Sequence, residues 1–172
     1  MKKPKLIDLN EAVQHPGRTL TFDLTIQLEE EEDLDLVQPL VGTLSAESTG
    51  NRLFVKGDFA GVVVMECGRC LAPVELPVSV MVDEEFAVEG TPAGFGTQGY
   101  AEVVEDEPSP LFTNNQLNYE ELLRQDLWVS LPATVLCKSD CAGIVTEHET
   151  EPQGRPEFSV LSEMLPKETS EA

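Results

Sequence analysis

Four cysteines in two close pairs are the residues whose type and spacing most directly suggest chemistry. Cys67 and Cys70 form a C-x2-C pair, Cys137 and Cys141 form a C-x3-C pair, and residues 71 to 136 separate them. Thiolates are soft ligands that suit tetrahedral zinc, and a tight turn commonly supplies two of the four. The interval exceeds the roughly 12 to 20 residues of compact zinc fingers, so a shared site requires the fold to bring the pairs together.

Three interpretations of these cysteines stay open: a shared zinc site, ordinary thiols without a ligand, and a redox or regulatory pair. A thioredoxin-type C-x-x-C lies at the start of a helix, where the helix dipole lowers the pKa of the first thiol. Here Leu71-Ala72-Pro73 follows Cys70 directly, and the flanking sequence is typical of strands, so that redox mechanism has no support. Structural disulfides are not expected in a reducing cytosol. Zinc is therefore the candidate cofactor.

The cysteine pair at 67 and 70 lies between segments with the pattern of strands. Apolar and polar residues alternate from Thr19 to Leu28, which predicts a strand with one buried face. Further strands are predicted from Leu40 to Ala46 and from Leu53 to Met65. The alternating segment from Leu76 to Val82 is predicted to pair with the latter as a hairpin whose tip carries the two cysteines.

Two helices are predicted late in the chain. Asn118 is a good N-cap, Glu121 stands in capping-box position, and Leu117 can pack on Leu122 as a hydrophobic staple. The helix is expected to end before Pro132. Its apolar stripe is predicted from four residues, which we expect to be buried: Leu122, Leu123, Leu127 and Trp128. A second helix is predicted from Pro156 to the break at Pro166.

These elements predict an α+β fold with a mainly antiparallel, barrel-like sheet and two helices late in the chain. The length of 172 residues suits one domain, which we place at residues 1–166. A glycine-rich stretch predicts a mobile loop at 87–100. Residues 167–172 are polar and are predicted to form a frayed tail.

The charge of the chain is strongly negative. It has 32 acidic and 11 basic residues and a formal net charge of -21, which repels phosphate backbones and favours basic partners. Binding of naked RNA through a broad basic face is therefore not expected. The candidate partner-binding residues are Glu29, Glu30, Glu31, Glu32, Asp33 and Arg69. Alternatively, the acidic run only ends a strand and blocks edge pairing, and the Arg69 stem only packs over the hairpin.

Several classes of protein lack support in this sequence. No run of about 18 apolar residues or signal-peptide core is present, so we expect a cytoplasmic protein without a membrane span. No Ser/His/Asp order, phosphate-binding loop, H-E-x-x-H motif or paired-carboxylate signature is found. An enzyme is therefore not predicted.

The order of segments resembles the YceD family over nearly the whole chain. The resemblance lies in four stretches: Glu66-Cys67-Gly68-Arg69-Cys70, the acidic helix Tyr119–Trp128 running into Leu131-Pro132, Leu136–Gly143, and Arg155–Leu161. Val145 stands where many members carry a further cysteine. All four remaining cysteines would therefore be needed to hold a metal.

The resemblance implies a process and no catalytic residues. Members of the family are linked to accumulation of large-subunit ribosomal RNA, and their genes to that of a small basic ribosomal protein. Together with the charge, this predicts a non-enzymatic ribosome biogenesis factor whose acidic surface engages a basic large-subunit ribosomal protein or a pre-ribosomal particle. The alternatives are a metal-dependent nuclease that processes RNA, and a zinc-stabilised structural or thiol-sensing module. The oligomeric state stays open.

Overall fold

The structure is a computed structural model that describes residues 5–28, 35–95, 99–105 and 110–144. The described strands form two antiparallel sheets. The larger has the order β2 (Thr19–Ile26), β3 (Asp35–Ser48), β4 (Arg52–Glu66), β5 (Pro73–Gly90), β6 (Ala101–Val104). The smaller has the order β1 (Leu6–Asp8), β8 (Gln116–Asn118), β7 (Phe112–Thr113). The described α-helices are α1 (Asn10–Gln14) and α2 (Tyr119–Ser130), and a short 3₁₀ helix spans Ala93–Phe95.

One face of the large sheet carries the core, as the alternating sequence predicts. Leu44, Val55 and Val80 are among its fully buried residues. Phe59 lies at the centre and is only 2% exposed. A Cβ atom added to Gly42 would lie 2.7 Å from the Phe59 ring, and one added to Gly57 would lie 2.9 Å from it. The two glycines thus leave the space that the Phe59 ring occupies.

Helix α2 covers the core and confirms the predicted cap. The Asn118 side chain accepts a hydrogen bond from the Glu121 backbone N–H at 3.4 Å, and Leu122, Leu123 and Leu127 are buried. The prediction that Trp128 is buried is wrong, because 42% of this residue is exposed. Leu123 and Leu127 are four residues apart and share a helix face, whereas Trp128 lies about 100° further round.

Polar contacts among Asn10, Gln14 and Asn115 form what we call the amide network. The Gln14 side chain donates to the Ala101 carbonyl at 2.7 Å and accepts from the Ala101 N–H at 3.2 Å. The Asn115 side chain accepts from the Val103 N–H at 2.9 Å and donates to the Asn10 side chain at 3.0 Å. Gln14 and Asn115 are both buried. The network joins α1, β6 and the turn between β7 and β8.

Other predictions from the sequence are confirmed only in part. The mainly antiparallel sheet is confirmed, but the described sheets do not close into a barrel, so the barrel is not confirmed. Helix α1 and strand β1 were not predicted. The predicted loop at 87–100 starts later than expected, since residues 87–90 still pair with β6. The predicted helix at 156–166 and the tail at 167–172 lie outside the described residues.

Among the described residues, no helix has both the length and the apolar character needed to cross a bilayer.

Candidate metal centre

The first cysteine pair lies in the turn that joins β4 to β5. The Cys67 N–H donates to the Ala72 carbonyl at 2.9 Å, and the Leu71 N–H donates to the Cys67 carbonyl at 3.0 Å. Leu71 has a positive φ of 61°, a conformation uncommon for a residue with a side chain. The turn is therefore tightly closed, with the Cys67 and Cys70 side chains on it.

The second pair reaches this turn because the chain doubles back after α2. Val135 forms a parallel bridge with Cys67, and its carbonyl accepts from the Gly68 N–H at 2.8 Å. Further along, the Cys141 N–H donates to the Lys138 carbonyl at 3.2 Å and closes a second small turn. Backbone hydrogen bonds thus hold the two segments side by side.

The fold brings all four cysteines together. Their sulfur atoms lie within 4.8 Å of one another, with 3.9 Å between those of Cys67 and Cys141 and 3.6 Å between those of Cys70 and Cys137. A tetrahedral zinc ion with Zn–S bonds of about 2.3 Å separates its ligands by about 3.8 Å. Disulfide bonds measure about 2.05 Å, and all four cysteines are free. The spacing fits a metal ion.

Backbone amides favour the thiolate form of Cys67. The Cys67 sulfur is fully buried and accepts from the Cys137 N–H at 3.4 Å. This hydrogen bond, followed by those from the N–H groups of Cys70 and Arg69, lowers the pKa of Cys67 to about 6. An amide that donates to sulfur stabilises the thiolate, and the thiolate is the form that binds metal.

The neighbouring thiols oppose further ionisation. Hydrogen bonding with Cys70, and then with Cys141, raises the pKa of Cys137 to about 12. Four sulfur atoms this close cannot all become negative unless a cation balances them. A bound divalent cation would supply that balance and would release protons as it binds. The donor set of four thiols is typical of structural zinc sites.

The other predicted site residues have different positions. Arg69 is exposed, and its guanidinium donates to the Cys141 carbonyl at 3.0 Å, so it links the two cysteine turns. Its contact with a partner stays a prediction. The acidic run Glu29–Asp33 lies outside the described residues, and its role in partner binding also stays a prediction.

Sequence reasoning missed the unusual carboxylate of Asp126. Its Oδ2 atom is buried without a hydrogen-bond partner, and burial, followed by the nearby charge of Glu84, raises its pKa to about 6. Asp126 lies three residues after Leu123 and four after Leu122, so helical spacing places it on the buried side of α2. That spacing was the available signal for its burial. Glu84 is one of several acidic residues in β5. Nothing in either local sequence indicates that the two approach each other.

Similarity to known proteins extends over the whole site. A family model described as "Large ribosomal RNA subunit accumulation protein YceD" matches residues 55–165, which include all four cysteines. Uncharacterized proteins of Mycobacterium tuberculosis and Mycobacterium bovis are each 25% identical over 180 residues, covering 96% of this chain and 84% of theirs. An uncharacterized Mycobacterium leprae protein is 24% identical over 149 residues, covering 84% and 65%. No solved structure matches closely enough to count as a relative.

Proposed function

This chain belongs to the family of the large ribosomal RNA subunit accumulation protein YceD, and we propose that it is a non-enzymatic factor of ribosome biogenesis. It supports accumulation of large-subunit ribosomal RNA by binding a basic ribosomal protein, free or within a pre-ribosomal particle. The observation that carries the choice of partner is the net charge of -21. Electrostatic complementarity speeds encounter with a basic partner and disfavours binding to bare RNA.

The ion pairs of the described residues support a basic partner. Five of the cations in those residues already contact carboxylates: Lys5 with Glu120, Arg18 with Glu11, Arg52 with Glu85, Lys56 with Asp83, and Arg124 with Glu121. A phosphate would have to compete with these carboxylates for the same cations. A cationic partner would instead meet the large excess of carboxylates.

We propose that zinc joins the two cysteine turns as a structural ion, with Cys67, Cys70, Cys137 and Cys141 as its ligands. Bound zinc would stabilise four thiolates and cross-link the β4–β5 turn to the segment after α2. Within the described part of the chain, these cysteines are the only group of three or more His, Cys, Asp or Glu residues that could hold a metal. Four soft ligands leave no open position for substrate, which agrees with a structural role.

The proposed function is tested by depleting the protein in its native cell and measuring the ratio of large- to small-subunit ribosomal RNA. We expect the ratio to fall and the parent chain to restore it. A variant with Glu30, Glu31 and Glu32 changed to Gln should restore it poorly. A matched control with Glu47, Glu89 and Glu102 changed to Gln removes the same charge from residues of the large sheet and its edge strand.

The mode of binding is tested with purified components. We expect the protein to retain basic proteins stripped from large ribosomal subunits at moderate ionic strength and to ignore naked ribosomal RNA. The opposite preference would show that the acidic-surface mechanism is wrong. Magnesium-dependent cleavage of precursor RNA by the pure protein would replace the proposal with a nuclease.

A further inference from the structure

Within residues 5–28, 35–95, 99–105 and 110–144, the face of the large sheet opposite the core is open along β2 to β5. Its residues follow the other half of the strand alternation, and most are exposed. The β3–β4 and β4–β5 registers place these residues in rows across the sheet. An open sheet face is normally polar, so any apolar region on it requires an explanation.

Four successive rows run across this open face. The β2–β3, β3–β4 and β4–β5 registers give the first two rows as Asp23, Thr43, Asp58, Met81 and then Thr25, Val41, Ala60, Ser79. The β3–β4 and β4–β5 registers give the next two as Gln38, Val62, Pro77 and then Asp35, Val64, Glu75. The first and fourth rows carry carboxylates, while the second and third carry no charge. We call the uncharged rows, together with Met81, the apolar belt.

The belt is accessible. Met81 is 75% exposed and Val41 is 54% exposed, although apolar side chains on a sheet usually face the core. Register shifts in β3 between Leu36 and Val41 interrupt the regular pairing there. Beside them is an open depression of about 510 Å³, lined by Gln38, Pro39, Val41, Ala60 and Gly61. A side chain from another molecule could enter this depression.

The charges around the belt are unbalanced. The cations within β2 to β5 are Arg52 and Lys56. Both precede Asp58 along β4, so they lie outside the belt on the side of the first row. Each already pairs with a carboxylate of β5, Arg52 with Glu85 at 2.8 Å and Lys56 with Asp83 at 2.9 Å. Among the described residues, the acidic groups of the first and fourth rows have no such cation. Two negative rows therefore flank an uncharged centre.

We infer that the apolar belt and its two carboxylate rows bind a basic polypeptide segment with an apolar centre. The inference rests on the proposed function and assigns the surface that takes the basic partner. Apolar side chains of that segment would fill the depression, and its Lys or Arg residues would meet the carboxylates on either side. The first and fourth rows are six residues apart along β4, or about 20 Å. This separation selects segments with cations on both sides of an apolar stretch.

Other occupants fit this surface less well. A second copy of the chain would bring carboxylate rows against carboxylate rows, with a net charge of -21 on each molecule. RNA would bring phosphates to a face without a free cation in its described part. A basic segment is the occupant that gains from both the apolar centre and the charged flanks.

The experiment uses the full chain, immobilised, and the basic proteins stripped from purified large ribosomal subunits as the probe. Val41→Ser with Met81→Gln removes two apolar side chains from exposed positions of the belt without changing the charge, so the fold should be retained. We expect at least about a tenfold loss of affinity, as for central positions of an interface. Val129→Ser with Ile144→Gln is the matched control, because both residues are exposed and apolar but lie outside the large sheet.

A second pair of variants tests the carboxylate rows. Asp58→Lys with Glu75→Lys should weaken binding of the same probe severalfold, and the loss should shrink as salt rises. The control is Glu89→Lys with Glu102→Lys, which makes the same charge change at exposed positions of β5 and β6 outside these rows. Equal losses from the two charge variants would show that only the overall charge matters, and this would overturn the inference.

Hydrogen exchange of the complex distinguishes failure of the inference from failure of the proposed function. Protection of β3 and β4 around the belt is expected. Binding with parental affinity by the belt variant, with protection elsewhere, overturns the inference and leaves the function intact. Absence of any binding to the basic proteins overturns both. Self-association, or RNA binding, that is lost in the belt variant would reassign the face to that occupant.

Discussion

The cysteine cluster and the amide network each join segments that are far apart in sequence, but they do so with different chemistry. In the network, Asn115 and Gln14 donate to and accept from backbone groups of β6 and its flank. Neutral amides carry both a donor and an acceptor, so they can satisfy one another without a ligand. The cysteine cluster instead places four sulfur atoms within 4.8 Å, where their ionised forms repel.

The amide network is therefore satisfied by groups of the chain itself, whereas the cysteine cluster needs a bound ion. Buried side-chain amides that have hydrogen-bond partners hold their segments together whenever the chain is folded. Ionised thiolates need a cation, and protonated thiols form only weak hydrogen bonds. We therefore expect the cysteine turns to depend on metal and the β6 region to be independent of it.

The largest expected effect is that of metal removal. Protein purified without chelator should contain about one zinc per chain, with thiols that react only after a chelator is added. After chelation, hydrogen exchange should lose protection in the two cysteine turns while the amide network stays protected. Cys137→Ser should reproduce the loss, since it removes one of four ligands.

The control for metal removal is Ser139→Ala, which changes a neighbouring side chain and leaves the four sulfurs in place. Chain without metal, with four freely reactive thiols and unchanged protection in the turns, would show that the cluster is complete without an ion. The cysteine cluster and the amide network would then not differ in their dependence on metal.

Asn115→Ala should have the next largest effect. Asn115 is fully buried, and its side chain bonds to the Val103 N–H, the Ala101 carbonyl and the Asn10 side chain. The substitution removes these three hydrogen bonds and leaves the buried Val103 N–H without a partner, while the Ala101 carbonyl still accepts from Gln14. It should lower the free energy of unfolding by about 3 kcal/mol. Urea unfolding of the metal-loaded protein measures this change.

Asn114→Ala is a matched control for Asn115→Ala, because the two neighbours share a positive φ, of 51° and 60°. Positive φ disfavours alanine to a similar degree at both positions, but the Asn114 side chain is exposed. The difference between the two variants therefore isolates the buried hydrogen bonds. Equal losses would mean that the network adds nothing beyond the backbone preference of asparagine.

Arg69→Ala should have a smaller effect, confined to the cysteine cluster. The Arg69 guanidinium donates to the Cys141 carbonyl and so holds one cysteine turn against the other. Removing a group that orients metal ligands typically weakens metal affinity about tenfold. Zinc affinity by chelator competition should fall accordingly, while the unfolding midpoint of the loaded protein changes little. Lys138→Ala removes an exposed cation from the same region and should leave affinity unchanged.

Local patterns allowed several elements to be predicted from sequence. The alternation from Thr19 to Leu28 indicated β2, and Asn118 with Glu121 fixed the start of α2. These signals depend on neighbours within a few residues. Helix α1 has only five residues, which is too short for a clear helical period, and Trp128 was misplaced because it adjoins the buried stripe without belonging to it.

The site was harder to predict from local patterns than the strands and α2. The ligand types and the two turns could be predicted from residues 67 to 70 and 137 to 141, but their meeting depends on the chain doubling back so that Val135 pairs with Cys67. The apolar belt appears only when the register of β2 to β5 is known, since Val41 and Met81 belong to ordinary alternating segments.

Asp126 Oδ2 is a third kind of buried polar atom, with neither a hydrogen-bond partner, unlike the amide network, nor the cation that we propose for the cysteines. Burial, and then the charge of Glu84, raise its pKa from 3.8 to about 6. The folded protein thus binds this proton more tightly than the unfolded chain, so the Asp126 carboxylate destabilises the fold above pH 6. Lowering the pH through 6 toward 4 relieves that destabilisation.

Asp126→Asn should therefore stabilise the metal-loaded protein at pH 8 by about 1 kcal/mol, after allowance for screening by solvent. The urea midpoints of variant and parent should converge as the pH falls below 6, because the parent carboxylate becomes neutral. Glu84→Gln should give a smaller gain with the same pH dependence, since Glu84 is the lesser cause of the shift. If Asp126→Asn is destabilising at pH 8, the carboxylate has a compensating partner. Asp126 would then resemble the hydrogen-bonded side chains of the amide network and would not be an unsatisfied group.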